Sequence, residues 1–176
     1  MRVAVLTISD TGARGERTDL SGERCTNWVV RRGGQVVDRA IVADQSVDIV
    51  RQLLTWCDEG IADLVLTTGG TGLSARDVTP EATRAVIDVE APGIAEGLRR
   101  DGTSATPMAV LSRGIAGVRG RTLIVNLPGS PSGVTSALTS LDPIVDHACD
   151  IVAGRPGGHA GYQQSPSVDD PAARKG

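Results

Sequence analysis

Short aliphatic runs alternate with stretches whose apolar residues recur every three or four positions, so strands and helices alternate along this chain. Val3-Ala4-Val5-Leu6-Thr7-Ile8 reads as a strand that ends at Ser9-Asp10-Thr11-Gly12. A helix follows over about residues 20–32, stopped by Gly33-Gly34. Residues 36–42 form a second strand, closed by Ala43-Asp44-Gln45. Ser46 reads as the cap of a helix with Val47, Val50, Leu53, Leu54 and Cys57 at helical spacing, ending at Gly60. Residues 64–68 give a third strand and 121–126 a fourth. Between them lie a helix with Thr79 at its N-cap and Pro80 at its first position, then weaker helical stretches around 93–100 and 107–113. A last helix runs over about 132–141, is interrupted at Pro143 and resumes to about Ala153.

This alternation implies a three-layer α/β/α fold with a mostly parallel central sheet. The strands are continuous aliphatic runs, as expected where helices cover both faces. Parallel strands place their carboxyl ends on one rim, where open α/β sheets bind ligands. Asp10, Asp44, the 69–77 loop and the 128–131 loop each follow a different strand, so they converge on one cleft. Residues 1–153 form one domain. Residues 154–176 are Gly, Pro, Ser, Gln and charge, with little to bury, and read as a mobile C-terminal tail.

Composition narrows the function. Aromatic residues are 2% of the chain and Phe is absent, so Val, Ile, Leu and Ala must build the core. A net charge of −3 and scattered arginines argue against a nucleic-acid partner. Cys25, Cys57 and Cys149 share no CxxC spacing and read as reduced core thiols. Met1-Arg2 leads straight into a strand without a secretory leader, and no apolar run spans a bilayer. The expectation is a soluble cytoplasmic protein with no membrane contact.

The loop after the third strand carries the chemistry. Thr68-Gly69-Gly70-Thr71-Gly72 precedes Leu73-Ser74-Ala75-Arg76-Asp77-Val78-Thr79-Pro80-Glu81. Its glycines permit positive φ and close approach of N–H groups to an anion. Neither the P-loop nor the dinucleotide fingerprint matches; the sole lysine is Lys175. Phosphate would therefore be held by amides, hydroxyls, Arg76 or a metal. His147 and His159 lie in the last helix and the tail, which leaves no Ser-His-Asp or Cys-His arrangement. Carboxylates beside phosphate amides suit Mg²⁺, and the parts suit phosphoryl or nucleotidyl transfer. Each piece also has a plainer reading. Asp44 and Asp77 can serve helix dipoles, Asp77 can pair with Arg76, residues 128–131 can be a turn with an N-cap, and Asp19 can cap the first helix.

The run from Thr68 through Arg76-Asp77-Val78-Thr79-Pro80-Glu81-Ala82 resembles the signature of the Mog/MoaB molybdopterin-binding family. Asn126-Leu127-Pro128-Gly129-Ser130-Pro131 resembles that family's second loop. Ser9-Asp10, Asp44 and residues 106–113 fall where the family has similar segments, and the likeness spans about residues 3–153. It implies a homotrimer of three-layer α/β subunits acting in molybdenum cofactor biosynthesis. The implied activity is a Mg²⁺-dependent nucleotidyltransferase, moving AMP from ATP to the terminal phosphate of molybdopterin with release of pyrophosphate. A molybdenum insertase would use the product. On the resemblance, Asp44 and Asp77 match the catalytic aspartates, either of which would hold the metal. Thr68, Gly69, Gly70, Thr71 and Gly72, with Pro128, Gly129 and Ser130, match the loops that hold the pterin and its phosphate. Ser9 and Asp10 match a stretch near the nucleotide, and Arg76 either contacts phosphate or braces Asp77. The alternative is a pterin-binding or scaffolding paralogue without turnover. A flavodoxin-like mononucleotide binder is more distant, because aromatics to sandwich a flavin are scarce.

Overall fold

Strand β1 (Arg2–Ile8) sends Val3 and Val5 to one side and Ala4, Leu6 and Ile8 to the other, and all five are buried. Both faces of the sheet are therefore covered, as its unbroken aliphatic sequence requires. The protein is described by a computed structural model covering residues 1–155. The other strands are β2 (Gln35–Val42), β3 (Leu64–Thr68), β4 (Val89–Glu90), β5 (Ala116–Arg119) and β6 (Thr122–Leu127). They form one six-stranded sheet in the order β2-β1-β3-β6-β5-β4. Pairings β1–β2, β1–β3 and β3–β6 are parallel, whereas β5 runs antiparallel to both β4 and β6.

Helices α1 (Asp10–Ala13), α2 (Leu20–Arg31), α3 (Ser46–Asp58), α4 (Thr79–Arg84), α5 (Pro92–Gly102), α6 (Pro131–Leu141) and α7 (Val145–Ala153) make the outer layers. One face carries α2, α6 and α7 through Cys25, Trp28, Val134, Leu138 and Cys149. The other carries α3 and α4 through Ile49, Leu53, Trp56 and Ala82. Because α2 and α3 lie on opposite faces, the chain changes direction across the sheet between β1 and β3. That is the switch point at which open α/β sheets leave a crevice.

The two indole N–H groups at the layer boundaries are paired. Trp28 Nε1 donates to Asp142 at 2.8 Å, and Trp56 Nε1 donates to Asp38 at 2.7 Å. Asp19 does cap α2, accepting from the Gly22 N–H at 2.8 Å. Two other expected caps are corrected. Ser46 is the first residue of α3, whose N-cap is Gln45 with no side-chain bond. Thr79 is the first residue of α4, and its hydroxyl instead donates to the Gly69 carbonyl at 2.8 Å. The 107–113 stretch is a 3₁₀ helix over Pro107–Leu111, closed by Thr106 accepting from the Met108 N–H. The short antiparallel strands β4 and β5 and the single turn α1 carry too little periodicity to be read from sequence. Gly154 ends α7 in the left-handed region. Residues 156–176 of the expected tail, with His159, lie outside the described residues.

Candidate active site

The parallel register brings Ser9-Asp10, Asp44, Gly69–Gly72 and Pro128–Ser130 to one rim, each directly after its strand. Gly69 and Gly70 hold φ of +99° and +62°. A Cβ on Gly69 would lie 2.2 Å from the Ile8 carbonyl oxygen, so only glycine lets β3 turn this closely over β1. Among the described residues, the N–H groups of Gly69, Gly70, Thr71 and Gly72 have no protein acceptor. Open amides in a glycine turn form a concavity for an anion.

The second loop is strapped to the first. Thr68 Oγ1 donates to the Pro128 carbonyl at 2.6 Å, and Ser21 Oγ donates to the Gly129 carbonyl at 2.8 Å. A Cβ on Gly129 would meet the Gly69 Cα at 3.3 Å. Ser130 caps α6 by accepting from the Gly133 N–H at 3.1 Å. Under both loops, the buried Asn126 side chain donates to Thr67 and Thr83 at 2.9 and 3.0 Å and accepts from the Ile115 N–H.

Asp10 and Asp44 grip each other's main chain. The Asp10 N–H donates to Asp44 Oδ2 at 2.8 Å, and the Asp44 N–H donates to Asp10 Oδ1 at 3.0 Å. Arg76 then donates to Asp10 Oδ2 at 2.6 Å from a loop 66 residues away. Arg76 thus pairs with Asp10 and not with Asp77, so of its two expected roles, contacting phosphate or bracing Asp77, the second is not seen. Arg76, followed by the Asp44 N–H, holds the Asp10 carboxyl below the usual range. Burial pushes the Asp44 carboxyl above it, and repulsion from Asp10 and Asp77 adds to this.

Asp77 accepts from the Ser74 N–H through Oδ2 at 2.8 Å. Its loop is clamped by Arg113, which sequence reasoning missed as a site residue. Arg113 Nε donates to the Gly72 carbonyl at 2.7 Å, its guanidinium also donates to the Asp77 carbonyl and pairs with Glu81, and its N–H donates to the Thr71 carbonyl at 2.8 Å. No spacing signal could have shown this, because Arg113 lies in the segment entering β5, 41 residues along the chain from Gly72.

A cavity of about 420 Å³ opens beside the loop. Gly70, Thr71, Gly72, Asp77 and Ser130 form its polar end, and Ala95, Leu98, Met108 and Leu111 its apolar wall. Such a space suits a flat, largely apolar ring with a phosphate at one end. A divalent cation also fits the donor set. Among the described residues, no group of three or more His, Cys, Asp or Glu side chains is gathered for a metal. Asp44 Oδ1 and Asp77 Oδ1 each lack a donor among the described residues. Two carboxylates plus substrate phosphates is the set Mg²⁺ favours.

The sequence model of the family described as "Probable molybdopterin binding domain" matches residues 4–147. The molybdopterin adenylyltransferase of Helicobacter pylori strain J99 is 37% identical over 156 residues, covering 88% of this chain and 89% of that protein. The crystal structure of the molybdopterin biosynthesis enzyme MoaB from Thermus thermophilus superposes with a TM-score of 0.83 at 48% identity, covering 88% of this chain and 98% of that one. The molybdenum cofactor biosynthesis bifunctional protein of Chlorobaculum tepidum is 38% identical over 159 residues, covering 90% of this chain and 50% of its own length. The chain belongs to the molybdopterin-binding family.

Proposed function

We propose that this member of the molybdopterin-binding family is a molybdopterin adenylyltransferase, moving AMP from ATP to the terminal phosphate of molybdopterin and releasing pyrophosphate. One observation carries the reading. Two carboxylates, Asp44 and Asp77, each with an oxygen free of protein donors, flank a glycine turn whose amides are open. Relatives named molybdopterin adenylyltransferase match 78% and 88% of the chain.

The residues divide the work by position. The open amides of Gly69 to Gly72 and the hydroxyls of Thr71 and Ser130 bind the pterin's phosphate. Asp44 and Asp77 would hold Mg²⁺, which when bound neutralises the phosphate charge that this acidic protein would otherwise repel. The attacking phosphate is anionic at neutral pH, so no strong general base is needed. Arg76 keeps Asp10 occupied, which leaves Asp44 as the available carboxylate of that pair. Positioning and charge neutralisation do most of the catalysis in such transfers.

The protein works in the cytoplasm as a homotrimer, handing its product to a molybdenum insertase. The exposed Met108, Val110 and Leu111 supply apolar surface for neighbouring copies to cover. The Chlorobaculum relative, a bifunctional protein of which the match covers half, supports a partner enzyme for the next step. No helix among the described residues is long and apolar enough to cross a membrane.

The test is ATP-dependent conversion of molybdopterin to its adenylylated form with Mg²⁺, comparing wild type with Asp77→Ala. Product and pyrophosphate from wild type alone support the enzyme. Pterin binding without product, where a relative of known activity works, makes this chain a binding paralogue.

A further inference from the structure

On the other side of the glycine turn lies a second, smaller chamber of about 150 Å³. Arg17, Thr18, Ser9 and Gly69 border it, with Asp19 in its wall. The two chambers meet at the contact between Gly69 and Gly129, and Gly129 faces both. With no side chain on either glycine, only backbone separates them. A phosphate chain lying against the turn thus has space at both ends.

The charges in this chamber leave one cation over. Asp19 has only 4% of its side chain exposed and is engaged by Arg39 at 2.7 Å, Thr7 Oγ1 at 2.8 Å and the Gly22 N–H at 2.8 Å. Burial alone would raise its carboxyl, but these partners outweigh it and hold the group below the usual range. Arg17, by contrast, is exposed and makes no ion pair or hydrogen bond among the described residues, whereas its neighbour Arg14 is closed onto Glu16. An open guanidinium and a Thr18 hydroxyl without a partner among the described residues form a donor set for a polyphosphate.

We propose that this chamber receives the β- and γ-phosphates of the nucleotide and holds them as the leaving pyrophosphate, with Arg17 as its principal ligand. The proposal rests on the adenylyl-transfer reading and assigns the second half of that site. In the transfer, an oxygen of the pterin's terminal phosphate forms a bond to the α-phosphorus while the bond from that phosphorus to the α,β-bridging oxygen breaks. The bonding pair leaves with that oxygen on pyrophosphate, and no proton need move. Attacking and leaving oxygens stand on opposite sides of the α-phosphorus. Two chambers on opposite sides of one amide-bearing turn meet that requirement.

The experiment titrates the whole protein with inorganic pyrophosphate in Mg²⁺ buffer by calorimetry. Wild type is compared with Arg17→Ala, Arg17→Lys and the control Arg14→Ala, and molybdopterin binding and adenylyl transfer are measured in parallel. Arg17→Ala should weaken pyrophosphate about tenfold, the worth of a charge-assisted contact. Arg17→Lys should recover part of the loss, and Arg14→Ala and all pterin affinities should stay at wild-type values. Equal pyrophosphate affinity in wild type and Arg17→Ala, or an equal loss in Arg14→Ala, overturns the assignment. An Arg17-dependent pyrophosphate site in a wild-type protein that makes no adenylylated product supports the chamber and removes the transferase reading alone.

Discussion

Arg113 Nε stands 2.7 Å from the carbonyl oxygen of Gly72, a contact that spans 41 residues and fixes the loop bearing Asp77. The same guanidinium reaches the Asp77 carbonyl, so one side chain ties both ends of the 72–77 segment. The position of Asp77 is therefore set by the β5 side of the sheet.

Replacing Arg113 by Met keeps the aliphatic stem and removes the clamp. Turnover should fall about 10- to 100-fold with KM for molybdopterin nearly unchanged, because the lost property is the placement of a catalytic carboxylate. Stability should fall by about 1–3 kcal/mol from the carbonyls left unpaired. Steady-state kinetics beside thermal melts separate these effects. A change in KM with kcat intact contradicts this role.

Gly69 tolerates no side chain. Gly69→Ala must place its Cβ 2.2 Å from the Ile8 carbonyl oxygen at φ +99°. A loss of about 2–4 kcal/mol is expected, together with loss of phosphate binding. Gly93→Ala is the control, since a Cβ at Gly93 meets nothing within 4 Å. Similar melts for the two variants would show that the turn can yield.

Asp44 is held in a place that favours its neutral form, mainly through burial. A carboxyl raised on folding contributes stability below its unfolded pKa, and that contribution is lost as pH rises through the folded value. Near pH 7 the ionised Asp44 therefore costs stability. Asp44→Asn should stabilise the protein there by less than about 1 kcal/mol after solvent screening, seen as a higher melting temperature. The gain should vanish at low pH, where Asp44 is protonated, and turnover should collapse. A variant less stable than wild type at pH 7 contradicts this balance.

Asn126 joins β6, β3, α4 and the chain entering β5 through its buried amide. Asn126→Leu preserves bulk but strands the Ile115 N–H and two threonine hydroxyls. We expect a loss of about 3 kcal/mol, or roughly 10 °C in Tm for a domain of this size. A shift of a degree or two in calorimetry would mean that water replaces the amide.

The three cysteines should be silent toward a thiol reagent in the native state. Burial pushes Cys25 and Cys149 up to about 12 and Cys57 to about 11, so little thiolate exists at pH 8. Ellman's reagent should count no thiol before denaturation and three afterwards. Rapid native labelling of Cys25 would contradict the packing of α2 on the sheet.

The sequence by itself determined the alternation of strands and helices, because buried parallel strands must be aliphatic throughout and helices must repeat every three to four residues. It also determined the glycine turn and the carboxylates, since positive φ and charge are properties of single residues. The 3.6-residue and two-residue periods say nothing of strands as short as Val89–Glu90 or Ala116–Arg119; β6 supplies the partner of the second and that strand the partner of the first, not their own pattern. Only the tertiary structure decided which charged groups meet. Arg76 could have closed onto Asp77 beside it, yet it reaches Asp10, because Asp10 and Asp44 have already capped each other's N–H groups across β1 and β2. Arg113 became a clamp in the same way. Contacts across 66 and 41 residues depend on the register of strands that lie between them in space, and local sequence carries no record of that register.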